Sequence, residues 1–257
     1  SSTSSWVKAS LAQVMADCGI QDIFIAYPII GQDKLQWLFE LSQRVKVSGI
    51  INSVEGAKAL SRRFEQAGKR FTVLIEIDGG LNRGGVKPME HALFFGNQVK
   101  DLPGLDIRGL MYYGGLIYNS RDKTEVEAYC KRERDQLVET AELLRAHGFT
   151  MEVLSAGSSF SGKYPWLLEG IMEIRSGHYI FNDCGQLDVG LAQPEDCALR
   201  VVTTVVAKPD EETVICDVGT KSLTSDMCHH RKGYGYIDQY PDMEVYALNE
   251  EHAFVRQ

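Results

Sequence analysis

The apolar positions of this chain fall into two alternating kinds of block. Short, nearly unbroken runs at 22–27 (DIFIAY), 47–51 (VSGII), 71–77 (FTVLIEI), 105–111 (LDIRGLM), 151–154 (MEVL) and 172–175 (MEIR) read as buried strands. Between them lie longer segments with apolar residues at helical spacing. Residues 32–44 carry Leu35, Leu38, Phe39 and Leu41, residues 54–67 end at Gly68, and residues 88–102 have Pro88 near the first turn. In 123–147, Val126, Cys130, Leu137, Ala141 and Leu144 share one face, and Gly148 ends the pattern. Upstream, Trp6–Ala9 reads as the end of a strand, with Ser10 as N-cap of a helix closed by Gly19. Ser1–Ser5 are polar and read as flexible.

This alternation predicts parallel strands joined by crossover helices, and strands this apolar fit a closed barrel. The pattern yields about seven strands where a (β/α)8 barrel has eight. After Asp183 the rhythm breaks. Residues 199–206, 213–217 and 243–248 are β-rich with no helical pattern between them, and Lys208–Glu212 reads as a charged hairpin turn. The expected division is therefore a barrel over 1–190 and a β-domain over 191–257.

Ligand chemistry concentrates in residues 151–185, where two strands each run into a turn suited to an anion. In Ser155-Ala156-Gly157-Ser158-Ser159 small residues allow backbone N–H groups to converge, and two hydroxyls add donors. A tight turn without a ligand explains the same letters. Gly157-x-x-x-x-Gly162-Lys163 has a P-loop skeleton, but Tyr164 stands where a Mg²⁺-binding hydroxyl belongs, which weighs against ATP. Met172–Arg175 leads into Ser176-Gly177-His178-Tyr179-Ile180-Phe181-Asn182-Asp183, in the region where barrels of this kind commonly hold phosphate.

Composition narrows the partners. A net charge of −8 argues against nucleic acid or an anionic membrane surface as a partner. No apolar run reaches the length of a membrane span, and the first residues carry no signal-peptide pattern. Six scattered cysteines without a C-x-x-C pair fit reduced thiols and a cytoplasmic setting better than a disulfide framework. Cys228-His229-His230 is the one cluster of soft ligands, and an exposed loop is the simpler reading of three adjacent residues.

SAGSS (155–159), EIRSGHYIFND (173–183), EIDGGLNRGGV (76–86), CALRVVTTVV (197–206) and DVGTKSLTSD (217–226) occur in one order, and together they resemble the D-threonine aldolase and D-serine dehydratase family. The resemblance implies a pyridoxal 5'-phosphate (PLP) enzyme with an alanine-racemase-like, TIM-like barrel and an appended β-domain. It implies a lyase acting on a β-hydroxy D-amino acid, cytoplasmic and homodimeric. An amino-acid racemase on the same scaffold, a non-catalytic PLP carrier and a nucleotide-binding protein are the rival readings.

The same resemblance implies a phosphate cup at Gly157, Ser158 and Ser159, with Tyr179 as a phosphate or pocket hydroxyl. It places Arg83 beside the cofactor and makes Tyr113 and Tyr118, in YYGGLIY (112–118), cofactor-lining residues. Spacing alone leaves a surface ion pair open for Arg83 and a core position open for Tyr179. Leu116 and Met111 depart from residues common in the family, which bears on the substrate more than on the cofactor. Asp217, Lys221 and Asp226 match a β-domain motif that faces a neighbouring subunit's active site, and turn positions would explain them equally. The family's Schiff-base lysine lies in an Arg-Pro-His-x-Lys stretch that nothing here matches. It is expected upstream of Ser1, and Lys8 is not assigned to that role. A divalent metal (Zn, Mn or Mg) is expected on a His and a Cys or Asp beyond Gln257, and His252 is not read as a ligand. On this reading the first barrel strand precedes Ser1 and the rest of the β-domain follows Gln257.

Overall fold

The longest apolar run, Phe71–Asp78, forms β3, a central strand of a six-stranded parallel sheet. The other strands are β1 (Asp22–Ile25), β2 (Lys46–Ile51), β4 (Leu105–Tyr113), β5 (Val153–Ala156) and β6 (Glu173–Ile174). Each pairs with the next in sequence, so the spatial order β1-β2-β3-β4-β5-β6 is that of a singly wound, curled barrel wall. The computed structural model describes residues 3–227 and 230–256. Ser1, Ser2 and Gln257 lie outside the described residues. So do Cys228 and His229 of the Cys-His-His cluster.

Helices α1 (Thr3–Asp17), α2 (Gln32–Ser42), α3 (Val54–Glu65), α4 (Glu90–Val99) and α5 (Lys123–Ala146) accompany the strands. The expected strand at Trp6–Ala9 is instead part of α1, and residues 3–5, expected to be flexible, belong to the same helix. A four-residue stretch carries no period of its own, and no Gly or Pro interrupts 3–17, so the helix runs through Ser10 to the stop at Gly19. The described sheet therefore has six strands rather than seven.

Alternation along the strands sorts side chains onto two faces. Phe71, Val73, Ile75 and Ile77 join Leu110, Tyr112, Leu154 and Ala156 in the main core beneath the helices. From α5 that core takes Leu137, Ala141 and Leu144. The opposite, inner face carries a small apolar layer of Ile50, Leu74 and Met111. Towards the strand ends the inner face turns polar, with Glu76, Asp78 and Ser155 all buried. Gly109 permits the close approach of β4 and β5: a Cβ there would lie 1.8 Å from the Val153 carbonyl oxygen.

Contact density divides the chain into two units. One takes Ser1–Leu116, Cys130–Ser158 and Pro165–Arg175; the other takes Ile117–Tyr129, Ser159–Tyr164 and Ser176–Gln257. The first contains the whole parallel sheet. The second contains an antiparallel sheet of order β7-β8-β10-β9, built from β7 (Val205–Ala207), β8 (Thr213–Cys216), β9 (Glu244–Leu248) and β10 (Ala253–Arg256).

The hairpin turn expected at 208–212 joins β7 to β8, and Asp210 Oδ1 accepts from Glu212 N and Thr213 N at 2.9 and 2.7 Å. Only the end of the expected 199–206 segment pairs as a strand. Thr203 Oγ1 and Thr204 N are instead held by Asp217 Oδ1 at 2.8 and 2.7 Å. β10 was not legible as a separate strand. It inserts between β8 and β9, and its own core comprises Cys216, Val218, Val245, Ala253 and Val255. Among the described residues no helix is long and apolar enough to cross a membrane.

Candidate active site

The polar groups of the first unit gather where β3, β4, β5 and β6 end. β3 runs into the loop 79–87, and Asp78 organises it. Asp78 Oδ1 accepts from Gly80 N and Asn82 N at 2.9 and 3.1 Å, and Oδ2 accepts from Lys87 Nζ at 2.6 Å. Burial pushes the Asp78 carboxyl up, but the Lys87 ammonium and the two N–H donors outweigh it and hold it below the usual carboxylate range. The loop closes on the strand through Asp78 N to Val86 O and Val86 N to Glu76 O, both 2.8 Å. A Cβ at Gly79 would sit 2.1 Å from the Tyr113 carbonyl oxygen, so only glycine lets this loop lie against the end of β4. The loop presents Arg83, whose guanidinium lies 4.3 Å from the centroid of the Tyr113 ring.

Glu76 lies two residues back on the same inner face. Its Oε2 accepts from Asn52 Nδ2 at 2.7 Å. Burial raises its carboxyl above the usual range; the Asn52 hydrogen bond and the charges of Arg83 and Arg175 oppose the rise without cancelling it. Glu76 and Asp78 thus have opposite shifts on one strand. Asp78 contributes stability that is present above the ordinary carboxylate pKa near 4 and lost as pH falls through its lowered value. The burial of ionised Glu76 destabilises at neutral pH, and acidification through its raised value relieves that. Melting temperatures measured from pH 3 to 7 are therefore expected to show Asp78→Asn flattening the acid loss of stability. Glu76→Gln is expected to raise stability at neutral pH relative to wild type. Matching pH profiles for the two variants would contradict this assignment.

The strand expected at Met151–Leu154 is displaced by two residues. Pairing of Leu110 with Leu154 and Met111 with Ser155 draws Ser155 and Ala156 into β5, so the turn begins at Gly157. Gly157 has φ +86°, and a Cβ there would lie 2.7 Å from Ile174 Cγ2. Its N–H is already engaged, donating to Glu133 Oε1 at 2.9 Å. Glu133 comes from α5 and is buried. At the end of β6, Arg175 donates from Nη1 to Ser155 Oγ at 2.6 Å and from Nη2 to the Tyr112 carbonyl at 2.5 Å. Its surroundings lower its pKa through desolvation, while Glu133, Glu173 and Glu76 oppose that effect. Tyr112 donates to Gln136 Oε1 at 2.8 Å. Burial first, and then the Glu133 charge, raises its phenol to about 12.

The first unit therefore brings together Arg83, Tyr113, Gly157 and Ser158 at the strand ends. Ser158 is buried. The other expected residues belong to the second unit. Ser159, also buried, accepts through Oγ from His178 N at 2.8 Å. Tyr179 sits on the short 3-10 turn His178–Ile180 and is exposed, so it is not a core aromatic. Tyr118 lies on the 3-10 turn Gly115–Asn119 with its ring centroid 4.9 Å from that of Phe160. No helix follows β5 directly. The 3-10 turns Ser161–Lys163 and Pro165–Leu167 occupy that place, so Gly157–Lys163 lacks the helix start of a P-loop. In the β-domain, Lys221 pairs with Glu251, and Asp226 N donates to Thr224 Oγ1 at 3.0 Å.

Glu76, Arg175 and Glu133 were not singled out from sequence. Glu76 and Arg175 stand inside quoted motifs as charged letters in apolar strands. Glu133 carried a clear signal. It falls on the same α5 stripe as Cys130 and Leu137, where a charged residue must have a buried partner.

The family model of the alanine racemase N-terminal domain matches residues 20–183, and that of a serine dehydratase domain matches residues 198–257. D-threonine aldolase of Arthrobacter sp is 31% identical over 253 residues, which are 97% of this chain and 65% of that protein. D-threo-3-hydroxyaspartate dehydratase of Delftia sp. (strain HT23) is 30% identical over 218 residues, 80% of this chain and 57% of that protein. The solved structure of the latter superposes with a TM-score of 0.87 at 28% identity, covering 96% of this chain and 68% of that one. The chain thus spans about three-fifths of the length of these two curated relatives.

Proposed function

We propose that this chain, which belongs to the alanine racemase N-terminal domain family and carries a serine dehydratase domain after it, is part of a PLP-dependent lyase acting on a β-hydroxy D-amino acid. The observation that carries the reading is the donor set at the strand ends: a buried Ser158 hydroxyl after β5, and the cations Arg83 after β3 and Arg175 after β6. Asp78 and Glu133 are occupied by their own donors. This set suits a phosphorylated aromatic ligand.

In the first unit, the Ser158 hydroxyl would donate to the phosphate, on the turn that Gly157 shapes. The second unit by itself offers the hydroxyls of Ser159, Tyr118 and Tyr179. Arg83, stacked on Tyr113, would present a cation beside a flat aromatic face. Bound PLP supplies an electron sink for charge developing at the substrate α-carbon. Glu76, with a raised pKa and one oxygen fixed by Asn52, can hold or accept a proton at its other oxygen. The lysine that would hold the aldehyde is proposed to lie outside these 257 residues. A divalent metal is part of the reading. Among the described residues no group of three or more His, Cys, Asp or Glu could hold one, so no residue here is assigned to it. We also propose a homodimer, in which Asp217, Lys221 and Asp226 serve a neighbouring subunit.

Titration of the purified protein with PLP and with Mg-ATP is expected to give binding of PLP only, and tighter binding of Mg-ATP would overturn the reading. Incubation with D-threonine, D-serine and a D-3-hydroxyaspartate then sorts the chemistry. Aldehyde with glycine means aldol cleavage, 2-oxo acid with ammonia means dehydration, and appearance of the L-isomer alone means a racemase.

A further inference from the structure

We infer that Glu133 is a positioning residue for the phosphate turn, acting through the Gly157 N–H; the inference rests on the PLP reading above. Glu133 is 3% exposed on the buried face of α5, between Cys130 and Leu137, both 0% exposed. A carboxylate in such a place is retained only with strong partners. Its Oε1 accepts the Gly157 N–H at 2.9 Å, at the residue where β5 ends and the chain turns with φ +86°. On the far side of that turn, Arg175 ties Ser155 Oγ to the Tyr112 carbonyl. The turn is thus gripped at Ser155 by a cation and at Gly157 by an anion.

Two consequences follow. The Gly157 N–H is not a donor to a bound phosphate, because a protein carboxylate already holds it. Recognition of the phosphate then falls to the Ser158 hydroxyl, and Glu133 sets the direction in which that residue leaves the strand. The negative charge of Glu133 also supports the positive charge of Arg175, whose pKa it raises against desolvation. Glu133 need not touch the ligand for any of this.

Glu133→Gln keeps an oxygen acceptor for Gly157 N–H and removes the charge, whereas Glu133→Ala removes both. Affinities for PLP and for unphosphorylated pyridoxal isolate the phosphate contribution, since a general loss of folding weakens both ligands alike. Glu133→Ala is expected to lower the PLP-to-pyridoxal affinity ratio at least tenfold, and Glu133→Gln less than threefold. Amide hydrogen exchange at Gly157 gives a readout that needs no ligand. Protection is expected in wild type and Glu133→Gln and at least tenfold faster exchange in Glu133→Ala. An unchanged ratio in Glu133→Ala, or Gln behaving like Ala in both readouts, would overturn the inference. Should wild type bind neither ligand, the PLP reading and the phosphate role fail together. The exchange data would then decide the Glu133–Gly157 contact separately.

Discussion

Arg175→Met is expected to lower unfolding free energy by about 2–4 kcal/mol. β6 is only two residues long and pairs with β5 through Glu173 and Ile174, so few ladder bonds hold it. The Arg175 guanidinium supplies what the ladder lacks, binding Ser155 of β5 and the Tyr112 carbonyl of β4. Hydrogen bonds from a charged donor are worth roughly 1.5–3 kcal/mol each, and two lost together give about 3–6. Because Arg175 is half-buried, water recovers part of that. Methionine keeps most of the side-chain volume, so the loss reads as charge and hydrogen bonding rather than as a cavity. In a domain of this size the melting point should fall on the order of 5–15 °C. Arg175→Lys should lie between, since an ammonium keeps the charge but cannot span both acceptors with one planar fork. Melting within a degree of wild type for Arg175→Met would show that β6 is held by other means.

Gly157→Ala is expected to cost about 2–5 kcal/mol and to weaken PLP binding at least tenfold. Two separable penalties act. A side chain at positive φ costs roughly 1–2 kcal/mol. The new Cβ would also sit 2.7 Å from Ile174 Cγ2, and relieving such overpacking costs about 1–3 kcal/mol. A double-mutant cycle tells them apart. Adding Ile174→Ala opens room for the methyl group and should recover the packing share, leaving the backbone share. Strict additivity of the two substitutions, measured by urea unfolding, would mean that the methyl group is accommodated by movement of the turn instead. In that case affinity should stay low in the double variant as well.

The sequence by itself determined the class of fold and most of its elements, because those depend on local periodicity. Alternating strand and helix patterns, the Gly68 and Gly148 stops, and the α5 stripe Val126-Cys130-Leu137-Ala141-Leu144 are each a matter of neighbours within a few turns. The ordered motifs likewise carried the family. Where local pattern was weak, tertiary structure decided. Residues 6–9 are helical because their helix extends through them, and Ser155 and Ala156 are strand because β4 pairs with them. β10 is a strand because β8 and β9 both accept it.

The network at the strand ends was beyond the reach of sequence for the same reason. Arg175 meets Tyr112 across 63 positions, Glu76 meets Asn52 across 24, and Glu133 meets Gly157 across 24. No period links such residues, since their partnership depends on strand register and on which face each side chain takes. The letters Gly157 and Ser158 marked a turn fit for an anion. That a buried carboxylate would already hold the glycine N–H was decided only when α5 packed against the sheet, because desolvation there leaves the Glu133 carboxylate in need of a donor at that spot.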